Sequence, residues 1–204
     1  MKEAIEHLKR SDPVLSGIID RVGDYGIEFR DPDFETLVKS IVCQQLSGRV
    51  ANVIFGRVVK AAGGKLTPES ILKLRPGRMR ALGLSGQKTA YIRDLARHTR
   101  DGKVDFAELL ELSDEAVIER LTEVKGIGVW TAHMFLIFAL RRTDVLPLGD
   151  LGIRAAIRKA YGLPSCRSRP RWRRWRRAGG PTARWRAGTC GAAWNQTPTC
   201  KGIM

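Results

Sequence analysis

Gly126 and Gly128 bracket a single apolar residue, Ile127. They lie between one apolar-periodic segment that ends near Val124 and another that begins at Val129. Glycine tolerates positive φ and lets a backbone approach another molecule closely. Two glycines at this spacing predict a tight hairpin between helices over residues 121–141, with the free N–H groups of the second helix aimed outward. Amides in that arrangement form an anion site, for which phosphate is the obvious anion.

The rest of residues 1–164 reads as helix after helix. Lys2 to Lys9 is a short amphipathic opener that stops at Ser11-Asp12-Pro13, and Val14 to Val22 continues at helical spacing. Phe34, Leu37, Val38, Ile41, Val42 and Leu46 recur at three and four, which predicts a strong helix. Gly48 is placed to interrupt it before Val50 to Ala62, which closes at Gly63-Gly64. Thr67-Pro68-Glu69 is a start signal with proline at the first helical position. Ser85 opens a further helix through Tyr91-Ile92 and Leu95-Ala96. Phe106 to Leu110 and Ser113 to Val124 lead up to the hairpin, with Ser113 as N-cap. Ile27-Glu-Phe29 is the only β-compatible piece and is too short for a sheet. The expected class is all-α.

Composition narrows the partner. The formal net charge of +15 suggests a polyanion. Its distribution is uneven: residues 165–204 hold nine arginines, Lys201 and no acid, whereas residues 1–164 carry 26 basic and 21 acidic side chains, a net of +5. No N-terminal apolar segment of signal-peptide type is present, and no run approaches a membrane span. Cys43 is the only cysteine before residue 166, so neither a disulfide framework nor a zinc site is indicated. The chain reads as soluble and intracellular, cytoplasmic in a bacterium or nuclear in a eukaryote.

The stretch Leu121-Thr-Glu-Val-Lys-Gly-Ile-Gly-Val-Trp-Thr-Ala132, followed by Leu148-Gly-Asp-Leu-Gly-Ile153, resembles the helix-hairpin-helix and catalytic segment of the HhH-GPD superfamily of DNA glycosylases. Further matches are Phe34-Glu-Thr-Leu-Val-Lys-Ser-Ile-Val-Cys-Gln-Gln-Leu-Ser47 and Leu82-Gly-Leu-Ser-Gly-Gln-Lys88 with Tyr91-Ile92. Within the superfamily the chain is most similar to the compact 3-methyladenine DNA glycosylases, which lack an extra N-terminal β-domain. The resemblance covers nearly all of residues 1–164, taken as one glycosylase domain. It implies a two-lobed helical fold and a monomer acting on double-stranded DNA that carries damaged bases. It also implies an N-glycosyl hydrolase of base-excision repair.

The same resemblance assigns residues to roles. Asp150, 22 residues beyond Gly128, stands at the family's catalytic aspartate. Cleaving an N-glycosidic bond builds positive charge on the sugar, and an ionised carboxylate stabilises it. Aspartate is also a favoured N-cap, here for Leu151–Ala160, and the two roles can coexist. Asp144 is the competing carboxylate, but it follows Arg141-Arg142 and is better read as a local cap or ion-pair partner. Trp130 occupies the position where relatives that also cut the strand carry a Schiff-base lysine. An indole there cannot form that adduct but offers a stacking surface to a flipped, electron-poor purine; a core tryptophan in a helix interface is the competing reading. Met134 and Phe34 complete the expected base pocket, although the family often carries an aromatic at Met134.

Gln44 and Gln45 fall in the turn that the resemblance assigns to the wedge filling the stack after base flipping. Gln45 is the wedge candidate, and Gln44 reads equally as a buried glutamine bonding loop carbonyls. Lys125, Gly126, Ile127, Gly128 and Thr131 are the expected phosphate contacts. The carbonyls of Val124, Gly126 and Ile127 can ligate a monovalent sodium or potassium ion of the kind that bridges to phosphate in related proteins. No redox cofactor is implied, and the late cysteines do not match the spacing of the family's iron–sulfur variants. His133 has no second ligand nearby and reads as structural. Two alternatives stay open at this level. A non-catalytic helix-hairpin-helix DNA-binding module needs the hairpin but neither Asp150 nor the Gln-Gln turn. A related glycosylase for oxidised or mismatched bases favours lysine at position 130 or a cysteine cluster.

After Pro164 the composition changes: Arg, Trp, Gly and Cys abound, acids vanish and apolar periodicity stops. Arg171-Trp-Arg-Arg-Trp-Arg-Arg177 reads as a basic aromatic arm or as the product of a shifted reading frame in a GC-rich gene. Synonymous codons can be chosen for Ala178 to Cys200 such that the frame one base earlier encodes Trp-Arg-Pro-Tyr-Arg-Ser-Val-Ala-Gly-Trp-Tyr-Leu-Trp-Arg, then six more residues beginning Ser-Leu-Glu, then Asp-Leu and a stop. That hidden peptide resembles the family's last helix, so the frameshift reading is preferred and the expected fold lacks that helix. As written, the segment has too little apolar surface to offset its ordering entropy. Exchanging it for the frame-corrected peptide is expected to raise the melting temperature in a thermal scan. An ordered tail whose deletion destroys activity in an otherwise stable protein would instead make the arm real.

Overall fold

The computed structural model describes residues 2–24 and 26–163. All regular elements among them are helices: α1 (Lys2–Ser11), α2 (Pro13–Val22), α3 (Phe34–Cys43), α4 (Gly48–Ala61), α5 (Pro68–Lys73), α6 (Pro76–Ala81), α7 (Gly86–Arg100), α8 (Phe106–Glu111), α9 (Asp114–Thr122), α10 (Val129–Phe138) and α11 (Leu151–Ala160). The all-α expectation holds, and Ile27–Phe29 forms no strand. No described helix is long and apolar enough to cross a membrane. The tail, its arm reading and its frameshift reading lie outside the described residues.

The helices fall into two compact units. Of the described residues, the first takes those up to 28 and 141–163 and so holds α1, α2 and α11; the second holds α3 to α10. In the first unit, Leu8, Leu15, Ile18 and Ile19 form a core against which Ala160 of α11 packs. Burying each such side chain is worth about 1.5–3 kcal/mol. Asp12 organises this unit. Its Oδ1 accepts from the amides of Val14 (3.0 Å) and Leu15 (3.1 Å), capping α2, which Pro13 starts. Its Oδ2 accepts from the Tyr161 hydroxyl at 2.7 Å, which ties the end of α11 to the α1–α2 pair. A carboxylate buried to this degree is tolerated because both oxygens are hydrogen-bonded.

In the second unit α3 presents Phe34, Leu37, Val38, Ile41 and Val42 to the interior and packs against α4 and α7. Helix α5 lies on α7, where the Arg93 guanidinium donates to the carbonyls of Leu74 (2.7 Å) and Leu72 (3.2 Å). These are carbonyls that a six-residue helix leaves unpaired at its C-terminus. Thr67 and Ser70 form a reciprocal capping box at the start of α5. Three features differ from the sequence expectation. Helix α3 ends at Cys43, although the apolar period runs on to Leu46. Gly48 opens α4 instead of interrupting a helix, with Ser47 as its N-cap. Helix α6, started by Pro76, is too short to show a period and was not foreseen.

Candidate nucleic-acid interface and base pocket

The hairpin follows from its two glycines, each for a different reason. Gly126 sits at φ +88, in the left-handed region that favours glycine. A Cβ built on it would also lie 2.1 Å from the Tyr91 ring. The absent side chain therefore lets α7 pack directly on the turn. Gly128 has φ −95 and open space around it; it is the N-cap of α10 and supplies no side-chain acceptor. Val124 and Ile127 point inward at 1% and 3% exposure and anchor the turn to the core.

Two polar contacts from other helices hold the hairpin in place. The Lys125 amide donates to Asp94 Oδ2 at 3.0 Å, and Asp94 is in turn flanked by His98 and Arg97. Gln44 Nε2 donates to the Gly126 carbonyl at 2.8 Å. Gln44 is half-buried, and its side chain is engaged by a loop carbonyl, the arrangement of a structural glutamine. Gln45 is exposed and adopts φ +57, a conformation uncommon outside glycine. The backbone turn that aims it outward also ends α3.

Lys88 sits behind this turn. Its Nζ donates to the Val42 carbonyl at 2.7 Å and the Gln44 carbonyl at 2.6 Å, and burial pulls its ammonium pKa below the ordinary lysine value. Burial pushes the Cys43 thiol up, partly offset by the nearby Lys39, Arg30 and Lys88 charges.

Between α3 and α10, within the second unit, lies a cavity of about 400 Å³. Such a volume is typical of small-ligand sites. Trp130 and Met134, two of the base-pocket candidates, line it. Phe34 does not: it is buried in the core at 6% exposure. Helix α3 contributes Thr36, Ser40 and Cys43 instead. These small residues recur at helical spacing on a second face of α3 and leave room for the cavity. That stripe was visible in the sequence but resembles an ordinary solvent face. Arg30 and Phe138 also line the cavity and were not foreseen; the Arg30 amide is bonded to the Phe138 carbonyl at 2.9 Å.

Two of the expected phosphate contacts are placed otherwise. Thr131 is 5% exposed and faces the cavity. The Ile127 amide closes on the Val124 carbonyl at 3.1 Å, so it is not an outward donor. Lys125 and Gly128 are exposed. Among the candidate cation-binding carbonyls, those of Val124 and Gly126 each already accept one internal hydrogen bond, which leaves each a second lone pair. No group of three or more His, Cys, Asp or Glu side chains suited to a metal occurs among the described residues.

Asp150 belongs to the first unit. It is half-buried, with φ −72 and ψ 119, and its Oδ1 accepts from the Ile153 amide at 2.8 Å. The N-cap geometry expected of it is therefore present, and uses one of its two oxygens for that bond. Asp144 is exposed.

The family described as HhH-GPD superfamily base excision DNA repair protein matches residues 38–174. The chain belongs to the HhH-GPD superfamily. Among HhH-GPD relatives, DNA-3-methyladenine glycosylase 1 of Schizosaccharomyces pombe is 39% identical over 165 residues, spanning 78% of this chain and 72% of that protein. The DNA-3-methyladenine glycosylase of Saccharomyces cerevisiae is 37% identical over 166 residues, but this chain spans only 56% of its length. The crystal structure of a DNA-3-methyladenine glycosidase from Bacillus halodurans superposes with a TM-score of 0.82 at 34% identity, covering 96% of this chain and 89% of that one. A 3-methyladenine DNA glycosylase of Schizosaccharomyces pombe, in complex with abasic DNA, superposes with a TM-score of 0.79 at 34% identity, covering 95% of each chain.

Proposed function

We propose that this chain is a monofunctional DNA glycosylase that flips alkylated purines such as 3-methyladenine out of double-stranded DNA and hydrolyses the N-glycosidic bond, leaving an abasic site. The cavity carries this reading: it lies beside the DNA-binding hairpin of a base-excision repair fold, has room for a purine, and is faced by the indole of Trp130. The similarity to relatives named as 3-methyladenine glycosylases supports the substrate class.

Each step has a residue with suitable chemistry. The N-terminal end of α10 carries the positive end of its helix dipole behind Gly128, and Lys125 adds a full charge beside it, so a backbone phosphate binds there. Gln45 enters the stack and hydrogen-bonds the orphaned base. The extruded base stacks on Trp130 beside Met134. Asp150 is the catalytic residue: its carboxylate stabilises the oxocarbenium-like sugar and orients the attacking water. The remaining lone pairs of the Val124 and Gly126 carbonyls, with the Ile127 carbonyl, would hold a monovalent cation, which would add positive charge for a phosphate. The enzyme works as a monomer.

Incubation with methylated duplex DNA tests this. Free methylated base is expected in solution, strand breaks only after alkali or heat, and no adduct on borohydride reduction. The last follows because Trp130 has no amine to form a Schiff base. Tight DNA binding without base release would point to a binding module. A trapped covalent complex would assign a lysine, Lys125 first, to strand cleavage.

A further inference from the structure

We propose that Lys88 is a positioning residue for base excision: its ammonium clamps the Val42 and Gln44 carbonyls and thereby locks Gln45 in the conformation that presents it to DNA. This inference rests on the wedge role of Gln45 proposed above.

The hydrogen bonds at the end of α3 carry the argument. The Gln44 amide bonds Ile41 and the Leu46 amide bonds Cys43, so the local backbone passes over the Val42 carbonyl between them. Val42 and Gln44 thus direct two carbonyls at one point, which Lys88 Nζ occupies at 2.7 and 2.6 Å. The Gln44 carbonyl belongs to the same peptide plane as the Gln45 amide. Fixing that oxygen therefore fixes the plane from which the φ of Gln45 is measured, and Gln45 is the residue held at +57. A non-glycine residue stays in the left-handed region only where its surroundings over-determine it. Lys88 and the Gln44–Gly126 bond supply that determination from two sides.

The placement of Lys88 supports a dedicated role. It lies in the first turn of α7, with its amide bonded to the Ser85 N-cap at 3.1 Å. A cation there opposes the dipole of its own helix. Its charge is instead matched to the C-terminal carbonyl end of α3, where a cation is favoured. Tyr91, one turn further along α7, carries the close approach to Gly126. One helix thus braces both the wedge turn and the hairpin.

A double-mutant cycle on the full chain tests the proposal, using Lys88→Met, Gln45→Ala and their combination. Three quantities are read: the single-turnover excision rate on methylated duplex DNA at saturating enzyme, the affinity for a duplex with a tetrahydrofuran abasic analogue, and the fluorescence of 2-aminopurine placed opposite that analogue. Lys88→Met is expected to slow excision about tenfold, the scale of one charge-assisted hydrogen bond. It should also abolish the wedge-dependent fluorescence change and leave the salt dependence of binding intact. The double variant should be no slower than Gln45→Ala alone. Should Lys88→Met fail to fold, the cycle is run with Lys88→Gln, which retains one donor for the carbonyls. Additive losses would overturn the inference while leaving the wedge standing. A loss confined to affinity, with the salt slope reduced by about one, would make Lys88 a phosphate contact and overturn it as well. A neutral Gln45→Ala would remove the wedge reading and this inference with it. Failure of the unaltered chain to release any base would remove the glycosylase reading and the excision role of Lys88, while a fluorescence change lost in Lys88→Met would still assign Lys88 to holding Gln45.

Discussion

Asp150→Asn is expected to reduce base release by about 10²–10³-fold while leaving both DNA binding and folding intact, because an electrostatic stabiliser of the transition state contributes on that scale. The substitution separates the catalytic role proposed for this residue from its role as a cap. Asparagine is as good an N-cap as aspartate, so the bond from the Ile153 amide at 2.8 Å is retained and α11 keeps its start. The charge is lost while the cap bond is kept. Asp150→Ala removes charge and cap together and should cost about 1 kcal/mol of stability in addition. The measurement is single-turnover release of methylated base, with thermal melting as the control. Near-normal turnover by the Asn variant would leave Asp150 as a cap and nothing more.

The second large effect is expected at Gly126. Gly126→Ala must place a Cβ 2.1–2.6 Å from three atoms of the Tyr91 ring, on a backbone at φ +88. The left-handed conformation costs an L-residue about 1–2 kcal/mol, and overpacking against a ring about 1–3 kcal/mol more. For a protein of this size the sum corresponds to a fall of roughly 4–20 °C in melting temperature. Gly128→Ala is the contrast. Its backbone is ordinary and its surroundings open, so the cost is the loss of a good cap, under about 1 kcal/mol. What it should lose is affinity, because the new methyl stands in front of the α10 amides. If both variants melt alike, the close packing of Tyr91 on the hairpin is not what holds the turn.

Much of the fold was legible in local chemistry. Thr67, Ser85 and Ser113 mark helix starts, and each side chain accepts the amide bond expected of a cap. The end of α3 was not legible, because the apolar period continues through Leu46 and nothing local stops the helix. The turn there is bonded by Lys88, 44 residues from Gln44, and by the Gln44 side chain to a carbonyl 82 residues away. Helix α6 was missed because six residues are too few to show a period. Asp150 and Trp130 could be singled out as candidates from their spacing to the hairpin within a resembling family. Arg30, Ser40 and Cys43 could not, since a small polar stripe on a helix reads as solvent-facing until a second helix is packed opposite it.

The sequence by itself determined the helical class, the Gly126–Gly128 hairpin and the cap at Asp150, since each depends on residues within one or two turns of each other. Only the tertiary structure decided which glutamine bonds the hairpin carbonyl and which is exposed, that Phe34 and Thr131 face core and cavity, and that the Ile127 amide is spent within the turn. Those outcomes depend on which carbonyls and side chains distant helices bring within hydrogen-bond or van der Waals range. A one-dimensional pattern of apolar and polar residues does not carry that information.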